Sequence, residues 1–376
     1  MTRPAIYLDH NAASPLLPEA RSALLAALDL VGNPSSVHGH GRALRHVIDS
    51  ARGQVAALAG AERQQVVFTG SATEAITQAI VGGAQNFGST AIVISAGEHA
   101  AVGKAAAATG LPVITIGLLP DGCIDLDQLA QVIAGADGPL LVALHWVNNE
   151  TGVVQPMARI NALVGPTPHT LFVDAVQALG KLPLEFAASA PDMMAISGHK
   201  IGAPAGIGAL LVKAHADTVR LIPGGGQEQG RRGGTEATAL IAAFGAAAAA
   251  IAGRYGAADV GALTARLEAA LPAEGVVFGG TRLGNVTNFA VPGVNNATAM
   301  MGLDLLGLSV SSGSACSSGK VGPSHVLAAM GVPAELADCA LRISLGWNST
   351  AADVDAFIAG YKTILARQRA RQGQAA

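Results

Sequence analysis

The chain has 376 residues, enough for two domains and a sizeable core at the usual ~150 residues per domain. Charged residues make up 13% of it, about half the ~25% common in soluble proteins, and 23 Lys+Arg against 26 Asp+Glu leave a net charge of −3. A nucleic-acid or anionic-membrane binder needs a basic surplus, so neither partner is expected.

The first ten residues lack a basic-then-apolar signal pattern. Short apolar runs at 66–69, 91–95, 112–116, 140–145, 171–174, 192–197 and 209–212 read as strands, and 71–84, 99–109 and 126–134 as helices. This alternation predicts an α/β fold with a mostly parallel sheet, and strands apolar throughout fit a sheet covered on both faces. The uncharged stretch 237–253 is 17 residues long and mostly alanine, short of the ~20 needed to span a bilayer, so it predicts a buried helix over about 238–252. A helix at 263–271, a strand at 286–291, a helix at 297–306, a Ser/Gly stretch at 311–319, a strand at 341–345 and a helix from 351 to about 367 follow. The polar tail 368–376 is expected to fray. We expect an N-terminal segment, 1–15, packing with a small domain; a large domain, 16–250; and a small α+β domain, 251–376, carrying the Ser/Gly loop. Cys123, Cys316 and Cys339 are odd in number and contain no CxxC, which argues against disulfides or a zinc site and for a cytoplasmic protein.

Polar clusters recur where predicted strands end. Thr69-Gly70-Ser71-Ala72-Thr73-Glu74 opens a helix, where free N–H groups can cradle an anion, and Ser71 with Glu74 reads as a capping box. His99 in Gly97-Glu98-His99 could stack on a cofactor ring and shuttle protons, or simply start a helix. Asn148-Asn149-Glu150-Thr151-Gly152 follows the next strand and by itself is an ordinary turn. Asp174 closes another apolar strand; it suits a protonated pyridine nitrogen or a helix cap, and Gln177 could reach a ring hydroxyl. Lys200 in Ser197-Gly198-His199-Lys200 could form a Schiff base, with Ser197 and His199 on a phosphate, or could be an exposed loop lysine. Cys316 lies in Ser311-Ser312-Gly313-Ser314-Ala315-Cys316, a loop small enough to carry an accessible, travelling thiol or merely a connector. No GxGxxG joins a first strand to a helix, which excludes a nicotinamide site of the usual kind.

With Tyr7-Leu8-Asp9, Gly32-Asn33-Pro34-Ser35-Ser36-Val37-His38, Gly233-Gly234-Thr235-Glu236 and Leu341-Arg342-Ile343-Ser344, these segments resemble one family across residues 6 to 360. It is the cysteine desulfurases of the class V aminotransferase fold, of the nitrogen-fixation and iron–sulfur-assembly type with a long cysteine loop. The resemblance implies a fold type I transferase: a large domain with a mostly parallel seven-stranded sheet and a smaller C-terminal α+β domain. It implies that Lys200 holds pyridoxal 5'-phosphate, that Asp174 pairs with the pyridinium and Gln177 with the ring oxygen, and that His99 stacks on the ring. Ala72, Thr73, Ser197 and His199 would bind the phosphate, joined by Thr235 from the other subunit of a homodimer. Asn149, at the cofactor, would hold the substrate carboxylate together with Arg342. Cys316 would take the sulfur of L-cysteine as a persulfide, releasing L-alanine, and pass it to an acceptor such as an iron–sulfur scaffold. No metal is implied. Selenocysteine lysis, aminotransfer and a non-catalytic regulator on the same fold remain open alternatives.

Overall fold

The computed structural model describes residues 5–312 and 323–374. The chain opens with a short strand, β1 (Ile6–Tyr7), followed by a seven-stranded sheet. Its strands are β2 (Val66–Thr69), β3 (Ala91–Ser95), β4 (Val113–Ile116), β5 (Leu140–His145), β6 (Thr170–Asp174), β7 (Met193–Ser197) and β8 (Gly208–Val212), in spatial order β2-β8-β7-β6-β5-β3-β4. Pairing is parallel from β4 across to β7, while β8 runs antiparallel to both β7 and β2. Residues 198–207, between β7 and β8, are too few for the crossover helix a parallel partner would need.

Alternate side chains of each strand feed two apolar layers. Val66, Val93, Val142, Leu171 and Met194 face one; Val67, Ile92, Leu141, Phe172 and Met193 face the other, against Ile76, Ile80 and Val102. The alanine-rich stretch forms the helix Thr238–Ala258, which buries Ile241, Phe244, Ile251 and Tyr255 in the first layer. It packs on the helices Pro18–Leu28 and Gly39–Leu58. Contact with the second of these is backbone-close: a Cβ at Gly245 would lie 2.5 Å from Ala51 Cα.

A second, antiparallel sheet has β10 (Val286–Ala290) between β12 (Ala340–Ser344) and β9 (Val276–Val277). β11 (Leu308–Ser309) pairs in parallel with β1. Phe289, Leu341, Phe357 and Tyr361 form the core here, and Leu8 from the N-terminal segment is buried among them. The helix Ala351–Gln374 continues into the tail expected to fray, as far as the described residues go, because its Ala, Arg and Gln residues are good helix formers.

Candidate active site

A cavity of about 300 Å³ opens at the carboxyl ends of β5, β6 and β7, the edge where ligands bind in parallel α/β sheets. Ala72, Thr73, His99, Asn149, Asp174, Gln177, His199 and Lys200 all line it. The structure therefore gathers on one concave surface residues that lie up to 128 positions apart, from 72 to 200.

Local folding explains each placement. Ser71 Oγ accepts the Glu74 N–H at 3.1 Å and starts a helical run over 72–87, interrupted by a π-turn at Gln78–Gly82. The expected reciprocal cap differs by one residue. Glu74 Oε2 accepts the Gly70 N–H at 2.8 Å, and the Arg232 Nε donates to Oε1 at 2.7 Å, drawing the carboxylate away from the Ser71 N–H. His99 caps the helix Ala100–Ala108 by accepting the Ala101 N–H on Nδ1 at 3.2 Å, so a neutral ring carries its proton on Nε2.

Asp174 ends β6, beside His145 at the end of β5. Burial pushes its carboxyl up, the Val176 N–H at 2.9 Å pulls it down, and the nearby Glu98 pushes it up again; the net is a raised pKa. A protonated pyridine nitrogen would supply the positive partner that a buried carboxylate calls for. Lys200 reaches back across the cavity floor, donating to the carbonyls of Asn11 at 2.6 Å and Ala12 at 2.9 Å. His199 pairs with Ser197 Oγ at 2.8 Å; burial and the Lys200 ammonium lower its pKa to about 4, so the ring is neutral near pH 7. Donors at one end, a buried carboxylate at depth and an amine on the floor fit a phosphorylated pyridine aldehyde in kind and in position.

Three expected residues stand elsewhere. Ser197 is fully buried and reaches the cavity only through His199. Thr235 is exposed and lines a separate pocket with Gly70 and Arg232. Arg342 is fully buried in β12: its Nη1 donates to the Asn149 carbonyl at 2.9 Å, its Nη2 to Asp9 at 2.7 Å, and its Nε is a buried donor without a partner among the described residues. Cys316 lies outside the described residues.

Other residues of the site were not singled out from sequence. Asn11 is the hub: besides Lys200, its carbonyl takes the Gln177 Nε2 at 2.9 Å, and its Oδ1 takes Lys181 Nζ at 3.3 Å. Beneath the cavity, Glu98 Oε1 accepts from Ser95 Oγ, the His145 backbone N–H and His145 Nδ1, at 2.7, 2.9 and 2.7 Å. A signal existed for Lys181, which follows Gln177 by four positions, the spacing of one helical face. Asn11 offered none, because its bonds to Lys200 and Gln177 run through the main-chain carbonyl and its side chain meets residues 138 to 274 positions away.

The aminotransferase class-V family matches residues 6–357. A cysteine desulfurase of Trichormus azollae is 39% identical over 380 residues, covering 97% of this chain and 94% of the relative. The solved NifS-like protein from Rickettsia africae has a TM-score of 0.87 at 31% identity, over 96% of this chain and 99% of its own. The structure of SspA in complex with cysteine has a TM-score of 0.81 at 29% identity, over 92% of this chain and 99% of that one. A match spanning both sheets, with full-length relatives that are cysteine desulfurases, places this chain in the aminotransferase class-V family.

Proposed function

We propose that this enzyme removes sulfur from L-cysteine, giving L-alanine and a persulfide on Cys316. The observation that carries the reading is the convergence of Lys200, Asp174, His99 and Gln177 on one cavity, in a chain whose full-length relatives are cysteine desulfurases. When bound, pyridoxal 5'-phosphate supplies an electron sink next to the substrate α-carbon. Lys200 would hold it covalently, with its amine aimed by the Asn11 and Ala12 carbonyls. Asp174 would pair with the ring nitrogen and Gln177 with the ring oxygen. Ala72, Thr73, Ser197 and His199 would take the phosphate, with Thr235 reaching in from the second subunit of a homodimer. His99, with its Nδ1 occupied by the Ala101 N–H, holds a proton at Nε2 for exchange over the ring.

Substrate carboxylate would meet Asn149 and the Arg342 guanidinium, which donates to the Asn149 carbonyl. Both flanks of the Cys316 segment sit beside these residues. Ser311 exchanges backbone hydrogen bonds with Arg342, at 2.7 and 3.2 Å, and Ser324 Oγ donates to Glu150 at 2.5 Å. The Cys316 thiolate attacks the substrate sulfur; the carbon–sulfur bond breaks, and the carbon fragment gains a proton to leave as L-alanine. The terminal sulfur then passes to an acceptor thiol, such as that of an iron–sulfur scaffold. Residues 1–15, 16–250 and 251–376 would act as N-terminal segment, large domain and small domain in a cytoplasmic protein.

The test mixes the protein with L-cysteine, pyridoxal 5'-phosphate and a thiol reductant, and measures alanine and sulfide together. Equal amounts are expected, falling at least ~100-fold in Cys316→Ser, because a hydroxyl at neutral pH is a far weaker nucleophile than a thiolate. Undiminished alanine in that variant would remove Cys316 from the reaction. A spectrum that shifts with cysteine while no alanine forms would assign the cavity to a different class V reaction.

A further inference from the structure

Lys181 sits just past β6 on the turn that carries Gln177. Gly180, at φ +72°, turns the chain there, and a Cβ at that position would meet Ile251 Cγ2 at 2.9 Å. The turn places Lys181 Nζ 2.8 Å from Gln177 Oε1 and 3.3 Å from Asn11 Oδ1. An amine hydrogen donates to both oxygens, which fixes the direction of two amides whose ends are otherwise nearly symmetric. Gln177 is thereby left with its Nε2 facing the Asn11 carbonyl, 2.9 Å away, and that same carbonyl holds the Lys200 amine at 2.6 Å. Asn11 Oδ1 is also met by Asn285 Nδ2 at 3.4 Å, while Asn11 Nδ2 donates to the Asn149 carbonyl at 3.3 Å. Every polar end of the two amides is thus assigned, and Lys181 is the shared donor that sets them.

We propose that Lys181 is a positioning residue: it holds the Gln177 and Asn11 amide oxygens, so that the Gln177 N–H, not its oxygen, faces the Asn11 carbonyl that receives Lys200 and is the end offered to the ring oxygen of the cofactor. The inference rests on the class V reading of the cavity. Burial lowers the Lys181 pKa to about 7, and the charges of Lys200 and Arg342 push the same way. Its ammonium therefore carries an electrostatic cost there, and in either protonation state the amine has hydrogens for both oxygens.

The experiment titrates the visible absorption band of the enzyme carrying pyridoxal 5'-phosphate against pH. In Lys181→Met the amide of Gln177 is free to turn its oxygen inward, so the midpoint moves up by about one pH unit, the size of losing one stabilising neighbour. Lys181→Arg, which keeps the donors, restores it. In a Gln177→Ala background Lys181→Met shifts the midpoint by less than half as much, because the route through Gln177 is gone. An unchanged midpoint in Lys181→Met, or an equal shift in both backgrounds, overturns the proposal. Should Lys181→Met fail to fold, Gln177→Glu decides: with acceptors at both ends it reproduces the upward shift, and an unmoved midpoint refutes the role. A wild-type protein with no visible band would overturn the class V reading instead. The positioning role is then read in cofactor-free protein from acylation of Lys200 by an amine reagent. That rate falls several-fold in Lys181→Met, and by less than half as much in a Gln177→Ala background, if the role holds, because an inward-turned oxygen favours the unreactive Lys200 ammonium; an equal fall in both backgrounds, or none, refutes it.

Discussion

Glu228 takes two nitrogens of Arg52 at 2.7 and 2.8 Å and the Phe68 N–H at 2.9 Å, all buried. The Arg52 guanidinium in turn lies 4.8 Å over the Phe68 ring and donates to the Val66 carbonyl. Glu228 and Gln229 have φ of 49° and 59°, a left-handed backbone that costs non-glycine residues of order 1–3 kcal/mol each. The ion pair holds that strained turn against β2, and the same loop continues to Arg232 and Thr235, which line the separate pocket with Gly70. Removing one member of a buried pair strands the other. Arg52→Ala and Glu228→Ala should therefore each lose about 3–5 kcal/mol in urea unfolding. The double variant should lose well under the sum, since both singles break one interaction. Additive losses would show that the two side chains act independently. None of this was visible in sequence, because the partners are 176 positions apart. Lys200, Asp174 and His99 were legible for the opposite reason: each follows a strand readable from its own few residues.

Element by element, the strands of the large sheet were readable to within a residue, since an apolar run flanked by glycine or polar residues is a local signal. The helices Pro18–Leu28 and Gly39–Leu58 were not. Pro18–Leu28 starts from Leu17 with no side-chain cap, and Gly39–Leu58 from His38, so neither shows the Ser, Thr, Asp or Asn that marks a start. Both are specified by what they cover, the helix Thr238–Ala258. That contact sets propensity against shape in a way that can be measured. Alanine is a better helix former than glycine by ~1 kcal/mol, yet at Gly245 the added Cβ would meet Ala51 Cα at 2.5 Å and Gln54 Oε1 at 2.5 Å. A backbone atom cannot move aside cheaply, so the steric cost wins. Gly245→Ala should destabilise by about 1–3 kcal/mol, the usual scale of overpacking. At Gly253, in the same helix, no described residue lies within 4 Å of the new Cβ. Gly253→Ala should instead stabilise by up to ~1 kcal/mol. Stabilisation at both sites would mean that propensity alone governs this helix. The pair is read by thermal unfolding.

Across the whole molecule, the N-terminal segment joins the two sheets, and His10 is where acid acts on that join. The His10 N–H donates to the Ser344 carbonyl of β12 at 3.1 Å, its ring Nδ1 lies 3.4 Å from Ser14 Oγ, and its ring packs so closely on Gly346 that any side chain there would collide. Burial lowers its pKa to about 4, and the Lys181 ammonium adds to the fall. A histidine whose folded pKa lies below its unfolded value of ~6.5 takes up a proton on unfolding in the interval between the two. Its contribution to stability is therefore present above pH ~6.5 and is lost as pH falls toward 4. For His10 alone the loss between pH 7 and pH 5 should be about 2 kcal/mol, since one proton taken up on unfolding costs ~1.4 kcal/mol for every pH step of one. His199, lowered in the same way by burial and Lys200, adds to the slope. In urea unfolding across this range the two histidines together should contribute an uptake of nearly two protons near pH ~5.5, against which the raised Asp174 releases protons. In His10→Gln the uptake should drop by about one proton, even though the substitution lowers stability at pH 7 through lost packing. The slope, not the absolute stability, is the quantity to compare. An unchanged slope would mean that His10 is charged in the folded protein, and that the bridge between the sheets already tolerates a cation beside Lys181.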